Sequence, residues 1–224
     1  MEPLKIRSIT DNKISDSDVV RRILAGEKEL YEILLRRNNQ TLYRVVRSYL
    51  NEEKEIEDIM QNTYLKAFEK LYQFKHHSKF TTWLIRIGIN EALTRLKEKG
   101  KYFTLYQSED KSSKLNLLEF PDSKQLNPEK IIIRQEAKQM LEKAIDKLDL
   151  KYRAVYMLRE IEELSISDIS DCLKLSNTNV KVRLHRAKTK IKENLYELSS
   201  KKDLYEFGYN KCDNLVEKVM KIII

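Results

Sequence analysis

Glycine and proline are scarce in this sequence, with four and three residues among 224. An all-β architecture draws on both for its many tight turns, so their scarcity excludes that class and points to helices. Cysteine is nearly absent. Cys172 and Cys212 stand far apart with no ligand or redox spacing, which excludes a disulfide scaffold and fits a reducing compartment. No uninterrupted apolar run reaches the roughly 18 residues a membrane span needs, so no membrane insertion is expected. The opening residues lack the apolar stretch of a signal peptide, and the expected location is the cytoplasm. There is no glycine-rich phosphate loop, nucleophile elbow or paired-histidine zinc motif. The three histidines are His76, His77 and His185. The adjacent pair leaves a metal site and a simple loop contact both open, but spacing places no third ligand nearby. The expectation is no catalytic residue, no cofactor and no metal.

Charge is plentiful. Lys and Arg number 43 against 35 Asp and Glu, a net charge of +8. A basic excess favours a polyanionic partner, most often nucleic acid. Apolar residues make up 41% of the chain, enough for small cores. From Gly100 to Asn127 no period is sustained, and Pro121 and Pro128 punctuate the stretch, so it reads as a linker. The predicted fold is all-α: two small helical domains joined by a flexible linker, the C-terminal one containing a helix-turn-helix. Their expected bounds are 17–99, 100–127 for the linker and 128–199, followed by a tail over 200–224.

In the first half the spacing predicts helices over Asp18–Ala25, Lys28 to about Leu50, from Asn51 to about Leu71, and Lys79–Lys99. Asn38–Asn39 is a place where the second could bend, and Asn51 a suitable cap for the third. The outward stripe of that third helix holds Asp58, Gln61, Asn62, Leu65 and Glu69. An exposed leucine among amides and carboxylates suits a protein contact, although a plain solvated surface has the same spacing. In the second half helices are expected over Glu129–Lys147 and Lys151–Ile161. Ser165 to Asp168 then forms a capping box, Lys174-Leu175-Ser176 a turn, and a long helix follows. Lys174 occupies the place where such units often put glycine for a left-handed backbone. Ser176 can cap the long helix. Its leading turns carry Thr178, Asn179, Lys181, Val182, Arg183, His185 and Arg186, with no acid from Asn177 to Lys192. Basic side chains neutralise phosphates, and the start of a recognition helix reads bases. An ordinary helix pair with a solvated basic face is the competing interpretation.

Three segments carry a family resemblance. Asp58 to Ala67, Phe80 to Asn90 and Val180 to Ala187 are similar, in order and spacing, to motifs of bacterial RNA polymerase sigma factors. The short chain resembles the extracytoplasmic-function (ECF) subfamily. Within the second motif, Gly88 and Ile89 read as ordinary variation. The resemblance implies a promoter-specificity subunit with core RNA polymerase and promoter DNA as partners, an anti-sigma factor as a further candidate, and a monomer when free. It implies that Asp58, Gln61, Asn62, Leu65 and Glu69 dock on the polymerase's coiled coil. It implies that Phe74, Lys75, His76, His77, Lys79, Trp83, Arg86 and Asn90 meet the melted downstream promoter element, with Phe74 and Tyr72 as stacking platforms. The turn and long helix, Ser176 to Arg186, would read the upstream element. The linker, with acids Glu109, Asp110, Glu119 and Asp122, would pass near the polymerase active-site channel, or serve only as a tether.

Overall fold

The computed structural model describes residues 14–100 and 128–198, with no side-chain placement for 128–134 or 198. Most of the linker, Glu109, Asp110, Glu119 and Asp122 included, and the tail over 200–224 lie outside the described residues. Every described element is helical: α1 (Asp16–Leu24), α2 (Tyr31–Arg47), α3 (Glu53–Glu69), α4 (Phe80–Glu98), α5 (Pro128–Asp146), α6 (Leu150–Tyr156), α7 (Ile166–Leu173) and α8 (Asn177–Leu198).

Helices α2, α3 and α4 pack on one another, with α1 against α2. Each contributes residues at helical spacing: Leu34, Leu42 and Val45 from α2, Ile56 and Ala67 from α3, Leu84, Ile85 and Ile89 from α4, all essentially inaccessible to water. Ser15 caps α1, its hydroxyl accepting from the Asp18 amide at 3.1 Å. Helix α2 runs unbroken through Asn38–Asn39. Buried Asn38 donates to the Leu34 carbonyl at 2.8 Å and accepts from Thr81 at 2.6 Å, so its amide is satisfied within a continuous α2. Asn51 does not cap α3. Its oxygen accepts from Arg47 at 3.1 Å, and the helix begins two residues later without a side-chain cap. The first turn of α3 is instead tied to the end of α4. Buried Glu55 is hydrogen-bonded by Lys99 and, at 3.2 Å, by Arg95, and these cations hold its carboxyl below the ordinary range.

Gly88 sits where α4 crosses α2 and α3. A Cβ built there would lie 2.7 Å from Leu42 Cδ1 and 3.6 Å from Thr63 Cγ2, so the residue is a packing requirement, which reading it as ordinary variation misses. Overpacking costs about 1–3 kcal/mol, against roughly 1 kcal/mol gained in helix propensity. Gly88→Ala is therefore expected to destabilise by about 1 kcal/mol in urea melts. In a Leu42→Val background the same change becomes stabilising, because the obstructing methyl is gone.

In the second half α8 packs on α5, α6 and α7. Ala144, Ile145, Leu148, Tyr152, Ala187 and Ile191 form its smaller core. After α6 the backbone widens into a π-turn over Met157–Ile161. The Arg159 guanidinium then donates to the Leu164 carbonyl at 2.7 Å. Ser165 caps α7 as expected: the Asp168 amide donates to its hydroxyl at 3.0 Å, and that hydroxyl donates to the Asp168 carboxylate at 2.6 Å. Lys174 takes the left-handed conformation, φ 54°, ψ 46°, that its place in the turn requires. The two halves also touch. The larger core runs without interruption from α1–α4 into Leu150, Val155, Leu158, Ile169 and Cys172.

Candidate functional site: an α3 ridge, the α4 face and the recognition helix

Helix α3 turns Ile56, Ile59, Thr63 and Tyr64 inward, which obliges Asp58, Gln61, Asn62, Leu65 and Glu69 to face solvent together. Leu65 is 56% exposed, an apolar centre among polar groups. Asp58, Gln61 and Asn62 share a surface hollow of about 260 Å³ with Glu91, Thr94, Arg95 and Glu98 of α4. Lys66 holds Glu91 at 2.7 Å, and Arg95 reaches Glu98 at 3.4 Å. The hollow is acidic in balance: Asp58, Glu91 and Glu98 stand against Arg95. Sequence reasoning missed the α4 wall, although Glu91, Thr94, Arg95 and Glu98 fall at i, i+3, i+4 and i+7. It also missed Phe68, partly exposed beside Leu65, whose ring packs 5.0 Å from that of Tyr31.

The loop before α4 corrects one expectation. Phe74 is 6% exposed, and its ring is enclosed by His76, Trp83 and Phe80 at centroid distances of 4.6, 5.5 and 5.7 Å. A base cannot stack on it, because both the burial and the surrounding rings occupy that space. Its apolar neighbourhood makes it the anchor of the loop. His76 has φ 57° and lies 3.2 Å from Ser17 through Nδ1, so this imidazole is engaged with α1. Lys75, His77 and Lys79 are exposed, Trp83 is half-buried, and Tyr72 is the exposed aromatic at 71%. Along α4, Arg86 and Asn90 are exposed one turn apart.

In the second half, Ser176 caps α8 by accepting from the Asn179 amide at 3.1 Å. Thr178, Asn179, Lys181, Val182 and His185 are exposed, whereas Arg183 and Arg186 are half-buried. Of the later cations, Lys188 is half-buried and pairs with Glu160 at 2.9 Å, whereas Lys190 is exposed and lies 5.8 Å over the Tyr152 ring. Helix α7 presents Cys172 to α4, where its thiol donates to the Thr82 carbonyl at 3.8 Å. Burial pushes that thiol up to about 12, with Asp168 adding to the shift. Asn90 of α4 and Arg183 of α8 line one cleft of about 550 Å³ between the halves.

No helix of the described residues is long and apolar enough to cross a membrane. Residues 34–102 match the model of sigma-70 region 2, and residues 138–191 that of sigma-70 region 4. The chain is 26% identical over 179 residues to the ECF RNA polymerase sigma factor SigW of Bacillus subtilis, covering 80% of this chain and 96% of that one. It is 27% identical over 188 residues to the RNA polymerase sigma-H factor of Pseudomonas aeruginosa, covering 82% and 95%. Its fold resembles the sigma factor RpoE of Bartonella quintana, solved in complex with the anti-sigma factor NepR, at TM-score 0.54 and 20% identity over 76% of this chain and 98% of that one. Helical pairs of modules with a capped helix-turn-helix are common, but the two region matches in this order are specific, and the chain belongs to the sigma-70 family of RNA polymerase sigma factors, in its extracytoplasmic-function group.

Proposed function

We propose that this sigma factor, a transcription initiation factor, docks on core RNA polymerase through the α3 ridge and reads a promoter with two separate surfaces. The region-2 module, residues 17–99, captures the melted downstream element with the α4 face and its preceding loop. The region-4 module, residues 128–199, sets the start of α8 against the upstream duplex. The linker over 100–127 follows the polymerase channel between them, and the work is done in the cytoplasm, where the polymerase acts. Bond-making belongs to the polymerase. The chain contributes binding free energy, offsetting the few kcal/mol needed to unstack each base.

The observation that carries this reading is the α3 ridge. Leu65 projects from a face whose other members can all hydrogen-bond, beside an acidic hollow built with α4. Such a centre, ringed by polar groups, is what a protein partner with a basic, partly apolar helical surface needs. An anti-sigma factor is a proposed regulator, since RpoE was solved with one.

Run-off transcription with purified core polymerase tests the reading: specific transcripts are expected only when this chain is added. Asp58→Ala and Leu65→Ala should each weaken core binding by about 1–2 kcal/mol, roughly 5- to 30-fold, with unchanged thermal melting. Equal core affinity for both variants and the parent rules out the ridge as the docking face.

A further inference from the structure

Helix α4 carries two polar faces of different character. Arg86 and Asn90 stand one turn apart on the face assigned above to promoter strands. Glu91 and Glu98, two turns apart on the α3 side, form with Thr94 and Arg95 the far wall of the hollow beside the ridge. Carboxylates there repel a phosphate backbone, so the hollow lies outside the DNA surface and belongs with the ridge.

The cations at this hollow are committed. Lys66 of α3 holds both oxygens of Glu91, at 2.8 and 2.7 Å, and the Glu91 side chain is only 16% exposed. That pair ties the two walls together and fixes the width between them. Arg95 is shared between Glu55, at 3.2 Å, and Glu98, at 3.4 Å. On the α3 wall, Asp58, Gln61 and Asn62 make no side-chain hydrogen bond or ion pair among the described residues. A carboxylate, two amides and the outer edge of Glu98 are therefore left open around one space.

That space, about 260 Å³, is smaller than the roughly 300–1,000 Å³ of a small-molecule pocket. It has room for a single long side chain. Its open acceptors stand on two walls. A guanidinium, with donors spread over a planar fork, bridges such a pair, whereas an ammonium is a point charge of the kind Lys66 already supplies at Glu91. Leu65 stands one turn beyond Gln61 and Asn62, so an apolar anchor and a charged seat adjoin on the same face. Arginine in a seat shielded from water is among the residues that carry most of the binding energy at protein interfaces.

We propose that the hollow between α3 and α4 seats one arginine side chain of core polymerase, and that Thr94 and Glu98 of α4 select for it. The assignment rests on the reading of the α3 ridge as the docking face.

Binding of the full chain to core polymerase, without DNA, tests it. Thr94→Arg fills the hollow with a guanidinium from within, and Glu98→Lys reverses the charge of its far wall. The Thr94 side chain is exposed and its hydroxyl donates only to the Asn90 carbonyl of its own helix, at 2.8 Å, while Glu98 is 60% exposed, so neither change disturbs packing. Each is expected to weaken core binding by about tenfold or more with thermal melting unchanged. Thr94→Ala should change it by less than about twofold. Arginine-selective dicarbonyl labelling of core polymerase, read by mass spectrometry, identifies the occupant. The parent chain should protect an arginine that stays reactive when Glu98→Lys is bound instead at saturating concentration. Protection of no arginine, or of a lysine in its place under amine labelling, overturns the guanidinium. Parent-like affinity in both Thr94→Arg and Glu98→Lys, while Leu65→Ala binds weakly, overturns the seat and leaves the ridge standing. Parent-like affinity in all three sinks the ridge reading together with the seat.

Discussion

Phe74→Ala is expected to destabilise the region-2 module by about 3–5 kcal/mol, the usual consequence of emptying an aromatic site in a packed core. The ring sits among Phe80, Trp83 and His76 and is 6% exposed, so removal leaves a cavity that two rigid neighbours cannot easily fill. Single-strand binding should fall only in proportion to the fraction unfolded. Tyr72→Ala is the informative partner. Its side chain is 71% exposed, and its loss should leave stability within about 0.5 kcal/mol. If this end of the module stacks a base, Tyr72→Ala should instead lose roughly 1–3 kcal/mol of single-strand affinity. Chemical melts and fluorescence binding, run on both variants, separate the anchor from the platform. A Phe74→Ala protein as stable as the parent but unable to bind DNA would return the stacking role to Phe74.

Phe74 also shows where sequence reasoning stops. Its position in the loop and its chemistry suit stacking, and only packing reveals that its faces are taken. Helix existence was legible throughout, because the stripes Ile56–Ile59–Tyr64–Ala67 and Val180–Ala187–Ile191 have the helical period and end up buried. The cap at Ser165 and the left-handed turn at Lys174 were equally legible, being local chemistry. Asn38 and Asn51 misled for a shared reason. An amide's partner is chosen by tertiary structure, so one helix-breaking signal became a buried bond to Thr81 and one capping signal became a bond to Arg47. Gly88 carried no visible signal, since its need arises from a leucine forty-six residues earlier in the chain. The contact between the halves was invisible too. Cys172, Arg44 and Glu162 have ordinary surroundings in sequence, and only the fold brings them to one seam.

Removal of positive charge from the start of α8 is expected to have a much larger effect on upstream-duplex binding than removal from its middle. A run of cations without an acid looks uniform along the sequence, and a purely electrostatic view predicts similar losses at each position. The structure breaks that uniformity. Lys181 is exposed on the leading turns beside Val182, which is 44% exposed, while Lys188 is paired with Glu160 and Lys190 lies over Tyr152. Lys181→Ala should cost about 1–3 kcal/mol of duplex affinity; if it contacts a phosphate, the slope of log affinity against log salt should fall by about one. Val182 carries no charge, so Val182→Ala should change the preference at a base position, through a lost methyl contact, without altering the salt slope. Lys188→Ala should change affinity less than twofold, because its ammonium group is already paired with Glu160; Lys190→Ala, at an exposed position, should lose an amount between those of Lys188→Ala and Lys181→Ala. The measurement is a salt titration of holoenzyme binding to a fixed promoter fragment across the four variants. Equal losses at Lys181 and Lys188 would mean that α8 meets DNA along its whole length, which would require Glu160 to release its partner on binding.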